Sequence, residues 1–116
     1  MASGRRVERL ADQVRVEVAE MISRALKDPR IGFTTVTRVE LSGDLHQARV
    51  LVSVLGNDEA QRLTLEGLSS ARGYIRHEIG RRLRMRRAPE VTFALDHGAE
   101  ETAKIEMLLQ KLNKGQ

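Results

Sequence analysis

The spacing of the apolar residues changes from helical to extended at Phe33, and that change most constrains the fold. Before it, Val7, Leu10, Val14, Val18, Met21, Ile22 and Ala25 recur at intervals of three and four. This spacing predicts an amphipathic helix over 5–26, with Arg5, Arg6, Glu8, Arg9, Glu17 and Glu20 on its wet side. Asp28-Pro29 predicts its end, because a residue before proline avoids the helical region. From Phe33 the period is two. Phe33, Thr35, Thr37, Val39 and Leu41 share one face, and the β-branched content favours a strand. Ser42-Gly43-Asp44 is a turn, and Ala48, Val50, Val52 and Val54 define a second strand. Two strands with a short polar link read as an antiparallel hairpin.

Gly56-Asn57-Asp58 breaks the pattern, and a helical pattern follows over 59–84. A single straight helix there would press Arg72 toward the buried stripe between Leu68 and Ile75, at a desolvation cost. Two helices, 59–71 and 73–84, with a kink at Ala71-Arg72-Gly73, avoid that cost; Gly73 would permit backbone angles other residues resist. Val91, Phe93 and Leu95 alternate in a third strand. Ile105, Leu108, Leu109 and Leu112 mark a short helix over 99–112. The order is helix, strand, strand, helix, helix, strand, helix. We expect one α+β domain over 1–116, with its core at 5–96.

Function is written in the charge. Residues 72–87 hold seven arginines and one acid, Glu78, for a charge of +6 against +4 for the chain, leaving −2 for everything else. A focused cationic run on a near-neutral body points to nucleic acid. The competing reading is a solvated helix face, but such faces mix signs and this one does not. Anionic lipid is disfavoured as a partner, since membrane-surface helices set bulky aromatics opposite their cations. The chain has only Phe33, Tyr74 and Phe93. Phe33 and Phe93 read as core strand residues, so contact should lean on phosphates and shape more than on base stacking. The absence of cysteine excludes disulfides and thiolate zinc sites and suits a reducing, cytoplasmic setting. The start carries no signal-peptide pattern, and no run reaches the ~20 apolar residues of a membrane span.

Catalysis finds no foothold. His46, His77 and His97 form no metal-binding spacing, and His97 beside Asp96 reads as a polar turn pair. No phosphate-binding glycine loop and no nucleophile elbow occur. We expect no enzyme, no metal and no cofactor.

Several segments at this order and spacing carry a resemblance. They are Lys27-Asp28-Pro29-Arg30-Ile31-Gly32, Thr35 to Leu45 with its Ser42-Gly43-Asp44 turn, Ala48-Arg49-Val50, Val52 to Gly56, Ala71-Arg72-Gly73-Tyr74-Ile75-Arg76 and Leu83 to Phe93. Together, over about Val7 to Leu112, the sequence resembles the ribosome-binding factor A family of bacterial small-subunit assembly factors. The resemblance implies a type II KH fold, helix-strand-strand-helix-helix-strand, in which an Ala-x-Gly kink (here Ala71 and Gly73) replaces the usual Gly-x-x-Gly clamp. It further implies a cytoplasmic, non-catalytic monomer that binds the free, immature 30S subunit and 16S rRNA. Maturation of the 16S rRNA 5′ end and a role in cold adaptation come with it. Some relatives carry a longer C-terminal extension than this chain.

The expected RNA contacts are Arg72, Arg76, Arg81, Arg82, Arg84, Arg86 and Arg87, with Arg82 the one best placed to serve instead as a helix-end or core-edge partner. Arg5, Arg6 and Arg9 form a second, smaller cluster at a helix start, where the dipole disfavours cations; RNA contact and an idle solvated end are its two readings. A general double-stranded nucleic-acid binder of nucleoid type is the alternative function, and an interaction module built on the 99–112 helix is a third.

Overall fold

A computed structural model describes residues 4–98 and 107–112. Helix α1 spans Gly4–Glu20 and continues as a π-helical turn over Met21–Ala25. The apolar stripe buries Val14, Val18 and Met21 completely. The chain leaves the helix at Leu26, whose N–H still reaches Met21 O at 3.0 Å. Asp28 then folds the next loop on itself. Its carboxylate accepts from the Arg30 backbone N–H at 2.9 Å and from Arg30 Nη2 at 2.6 Å. The guanidinium also donates to Ser70 Oγ at 3.1 Å, tying the loop to the far end of the second helix.

Strand β1 (Thr34–Leu41) pairs antiparallel with β2 (Gln47–Val54), and β3 (Glu90–Leu95) pairs parallel with β2, giving the order β1-β2-β3. Between the parallel strands lie α2 (Asp58–Ser70) and α3 (Arg72–Arg82). The element order is the expected helix-strand-strand-helix-helix-strand, an α+β arrangement. Asn57 caps α2, its Oδ1 accepting from Ala60 N–H at 2.9 Å. One core joins α1, the inward faces of the strands, and Leu68, Ile75 and Ile79 of the paired helices. Of the expected 99–112 helix, residues 107–112 are helical and 99–106 lie outside the described residues. Among the described residues no helix is long and apolar enough to cross a membrane.

Two expectations need correction. Strict alternation through β1 fails at Thr37, where a bulge separates the pairs Val36↔Val52 and Arg38↔Leu51. The extra residue flips the faces, so Val36 and Val39, three apart, are both buried. Phe33 therefore falls outside the core and is 74% exposed, beside Leu55 at 75%. The unpaired Thr37 is put to use: its hydroxyl donates to Asp96 Oδ2 at 2.6 Å. That bond, with one from the Gly98 N–H, holds the Asp96 carboxyl below its ordinary range.

The second correction concerns Gly73. The helix pair does break, but at Ala71, whose φ of −89° and ψ of 0° end one helix and start the next. Gly73 sits inside α3 with no positive φ, and a β-carbon there would meet nothing within 4 Å. Among the described residues the glycine with positive φ is Gly56 (φ 126°), where the chain turns out of β2. Ala71 suffices for the break because the bridge region it occupies is open to ordinary residues.

Candidate nucleic-acid interface

Helix α3 is held to the core by Ile75 and Ile79, both fully buried, and carries arginine on the remaining faces. Those arginines divide into two groups. Glu78, on the buried side, accepts from Arg81 Nε and Nη2 at 3.0 and 2.8 Å and from Arg82 Nε at 3.2 Å. These bonds, Arg81's first, pull its carboxyl down from 4.5 to about 2 against the cost of burial. Arg82 also reaches across to α1, donating to Glu17 Oε2 at 3.0 Å and Glu20 Oε1 at 3.3 Å, with its side chain only 19% exposed. It fastens α3 to α1 in the core-edge use that competed with phosphate contact. Arg81 is exposed but spends its charge on Glu78.

The second group is more available. Arg72, Arg84, Arg86 and Arg87 are exposed and form no ion pair with any described residue. Arg76 is exposed and only loosely engaged, with Nε 3.2 Å from Ala88 O and Nη1 4.0 Å from Glu90 Oε1.

The backbone after α3 places three of these side chains. Leu83 caps the helix, and Met85 N–H returns to Gly80 O at 2.9 Å. This is the six-to-one bond of a Schellman ending, and it requires a left-handed residue between them. Arg84 is that residue, with φ of 53°. The turn swings Arg84, Arg86 and Arg87 off the helix axis, while Met85 packs back on the core.

Shallow concavities link the available arginines into a trough. Arg76 is common to three of them. The first, about 290 Å³, runs between Arg72, Gly73 and the start of β3. The second, about 500 Å³, extends past His77 and Gly80 to Arg86. The third passes Ala88 to Arg87 and to His46 and Gln47 at the hairpin. Beyond Arg86 and Arg87 lies the widest, about 600 Å³, which also takes in Arg84, Arg6, Arg9 and the hairpin tip.

So the two arginine clusters, from opposite ends of the described chain, meet in one groove. Arg6, Arg9, Leu10 and Gln13 stand at spacings of three, four and seven, which puts them on one helix face, but nothing local says what that face meets. Arg5 lines none of these concavities. Sequence reading missed the hairpin residues Leu45, His46 and Gln47, because nothing local says that a β-turn returns to the end of α3. Among the described residues no cluster of His, Cys, Asp or Glu could hold a metal ion.

A basic, elongated, water-open trough suits a phosphate backbone better than a small molecule. Comparison with known proteins places the chain in a family. The family model described as ribosome-binding factor A matches residues 6–109. The crystal structure of ribosome-binding factor A from Thermus thermophilus is 35% identical, with a TM-score of 0.67 over 77% of this chain and 94% of that one. A Thermotoga maritima solution structure, described as a candidate ribosome binding factor A, is 38% identical, with a TM-score of 0.73 over 84% and 93%. A Thermus thermophilus homology model, fitted into a cryo-EM map of a 30S complex of that factor, is 34% identical, with a TM-score of 0.65 over 78% and 94%. The chain belongs to the ribosome-binding factor A family.

Proposed function

We propose that this protein is a non-catalytic assembly factor that binds the immature 30S subunit through 16S rRNA, using the arginine trough as its contact surface. The observation that carries the reading is the continuity of the trough. Arg72, Arg76, Arg86, Arg87 and Arg84 follow one another along it, and Arg6 and Arg9 close its far end. Such a row neutralises successive phosphates of one strand, and its curvature selects among RNA shapes. Binding one subunit conformation more tightly than another shifts the population toward it without any bond being broken. On this reading the protein assists maturation of the 16S rRNA 5′ end by holding the subunit in a processable form. The demand for such help is greatest in the cold, where wrongly paired RNA rearranges slowly. A type II KH domain with its clamp replaced by the Ala71 break is the matching fold description.

A general duplex binder would use the same arginines, so affinity has to be compared across ligands. Purified protein is titrated against small subunits, free 16S rRNA and duplex DNA at one salt concentration. We expect small subunits to bind at least about tenfold tighter than duplex DNA, a margin of roughly 1.4 kcal/mol. Equal affinity for all three would leave only the general binder.

A further inference from the structure

We propose that the widest part of the trough is a pocket for unpaired RNA nucleotides, enclosed by α1, the β1–β2 hairpin tip and the segment after α3. The proposal rests on the rRNA-binding reading and adds which RNA feature the site selects. Four half-buried apolar residues line the groove and serve as its floor, Leu10 from α1, Leu45 from the hairpin and Leu83 and Met85 from the end of α3, with Gln13 of α1 beside them. Five exposed arginines line it as well and serve as its rim, Arg6 and Arg9 from α1 and Arg84, Arg86 and Arg87 from the segment after α3. Asp44 is the one carboxylate lining it, and that group is turned to the hairpin. It accepts from Ser42 Oγ at 2.6 Å and His46 N–H at 3.0 Å, and lies 3.6 Å from His46 Nδ1.

An apolar floor under a ring of arginines fits one chemistry. A duplex shows phosphate and ribose outward and keeps its base faces stacked inside, so it gains nothing from leucine and methionine. An unpaired nucleotide offers both parts, a base face to lay on an apolar surface and a phosphate for the rim. The volume, about 600 Å³, lies within the range of ligand-sized pockets. His46 and Arg87, both exposed, line this groove and the next.

The backbone adds an independent mark. Among the described residues two that are not glycine have positive φ, Leu45 at 64° and Arg84 at 53°. Both line this groove. A bulky side chain in that conformation is held against its preference, and such strain collects at functional sites. Glycine would relieve each position, yet the chain places a floor residue at one and a rim residue at the other.

The test is fluorescence anisotropy with the full chain and two labelled RNAs matched in phosphate number. One is a blunt duplex; the other carries a short unpaired tail. We expect the tailed RNA to bind about five- to tenfold tighter, at the low end of the value for a base on an aromatic ring because leucine and methionine stand in its place. Leu45→Gly and Leu45→Asn both tolerate the left-handed backbone, so both should fold. Each should abolish the preference for the tailed RNA. Equal affinity of the wild-type protein for the two RNAs, or a preference that survives both substitutions, overturns the pocket. Small-subunit pelleting with the same preparations separates the two claims. Protein that binds subunits without discriminating the RNAs loses the pocket alone; protein that binds neither loses the ribosomal reading with it.

Discussion

Arg84 should trade stability for binding, and the trade can be measured. It occupies the left-handed position of the turn that ends α3, with φ of 53°. For a residue with a β-carbon that conformation costs about 1–2 kcal/mol. The side chain offers no return inside the fold: it is exposed and pairs with no described acid. Arg84→Gly removes the steric cost, but glycine gives up about 0.5–1 kcal/mol more conformational freedom on folding. The net expectation is a gain of about 0.5–1 kcal/mol, or roughly 2–5 °C in the thermal midpoint. Arg84→Ala keeps the strained β-carbon and should show no gain. On the proposed function both variants lose one phosphate contact. Affinity for small subunits should fall equally in the two, and the salt dependence should flatten by about 0.7–0.9 of a unit. Urea denaturation and a salt titration of binding check both halves. If Arg84→Gly is no more stable than Arg84→Ala, the strain argument is wrong. If it is more stable and binds as well as wild type, Arg84 is only an awkward helix end.

Three further outcomes follow from the packing. Gly73→Ala should stabilise the protein by about 0.5–1 kcal/mol, since the position is helical and open; a loss of stability by urea denaturation would restore a special backbone there. Gly67→Ala should destabilise by about 1 kcal/mol or more, because the new β-carbon would stand 2.7 Å from Ile31 Cγ1 and 3.3 Å from Asp28 Oδ2; denaturation showing wild-type stability would mean the Asp28–Arg30 loop yields freely. Glu78 titrates at about 2 when folded against 4.5 ordinarily, so its contribution is whole above pH 4.5 and drains away as pH falls toward 2. Glu78→Gln should therefore be less stable at pH 7 and lose less stability across that window. Parallel pH profiles for the two proteins would contradict this.

The sequence carried the element order because each element declares its own period. Val14 and Val18 mark the core face of α1, and Val50 and Val52 that of β2, without reference to anything distant. The misreadings arose where one residue changes a register or a rotation. Thr37 looks like one more strand threonine, and only pairing with β2 shows that it bulges and expels Phe33. Glycine is the residue most tolerant of a kink, so the sequence points to Gly73 as well as Ala71, although Ala71 alone carries it. The charge run was legible as a cationic surface but not as a division of labour. That Arg82 turns inward depends on Glu17 and Glu20, more than sixty residues earlier. The meeting of Arg6 and Arg9 with Arg84, and the hairpin wall beside them, are tertiary facts with no local signature.

The central claim is that the available arginines of the trough, and not the paired ones, bind rRNA in the small subunit. Its most direct test is the salt-dependent affinity of Arg84→Glu/Arg86→Glu for 30S particles, measured beside wild type. Neither side chain has an ion pair with a described residue, so the thermal midpoint should hold steady or shift little. Affinity should drop by about tenfold or more, and the slope of log affinity against log salt should flatten by at least about 1.4 units, two contacts at about 0.7 each. A folded double variant with wild-type affinity and an unchanged slope would contradict the account.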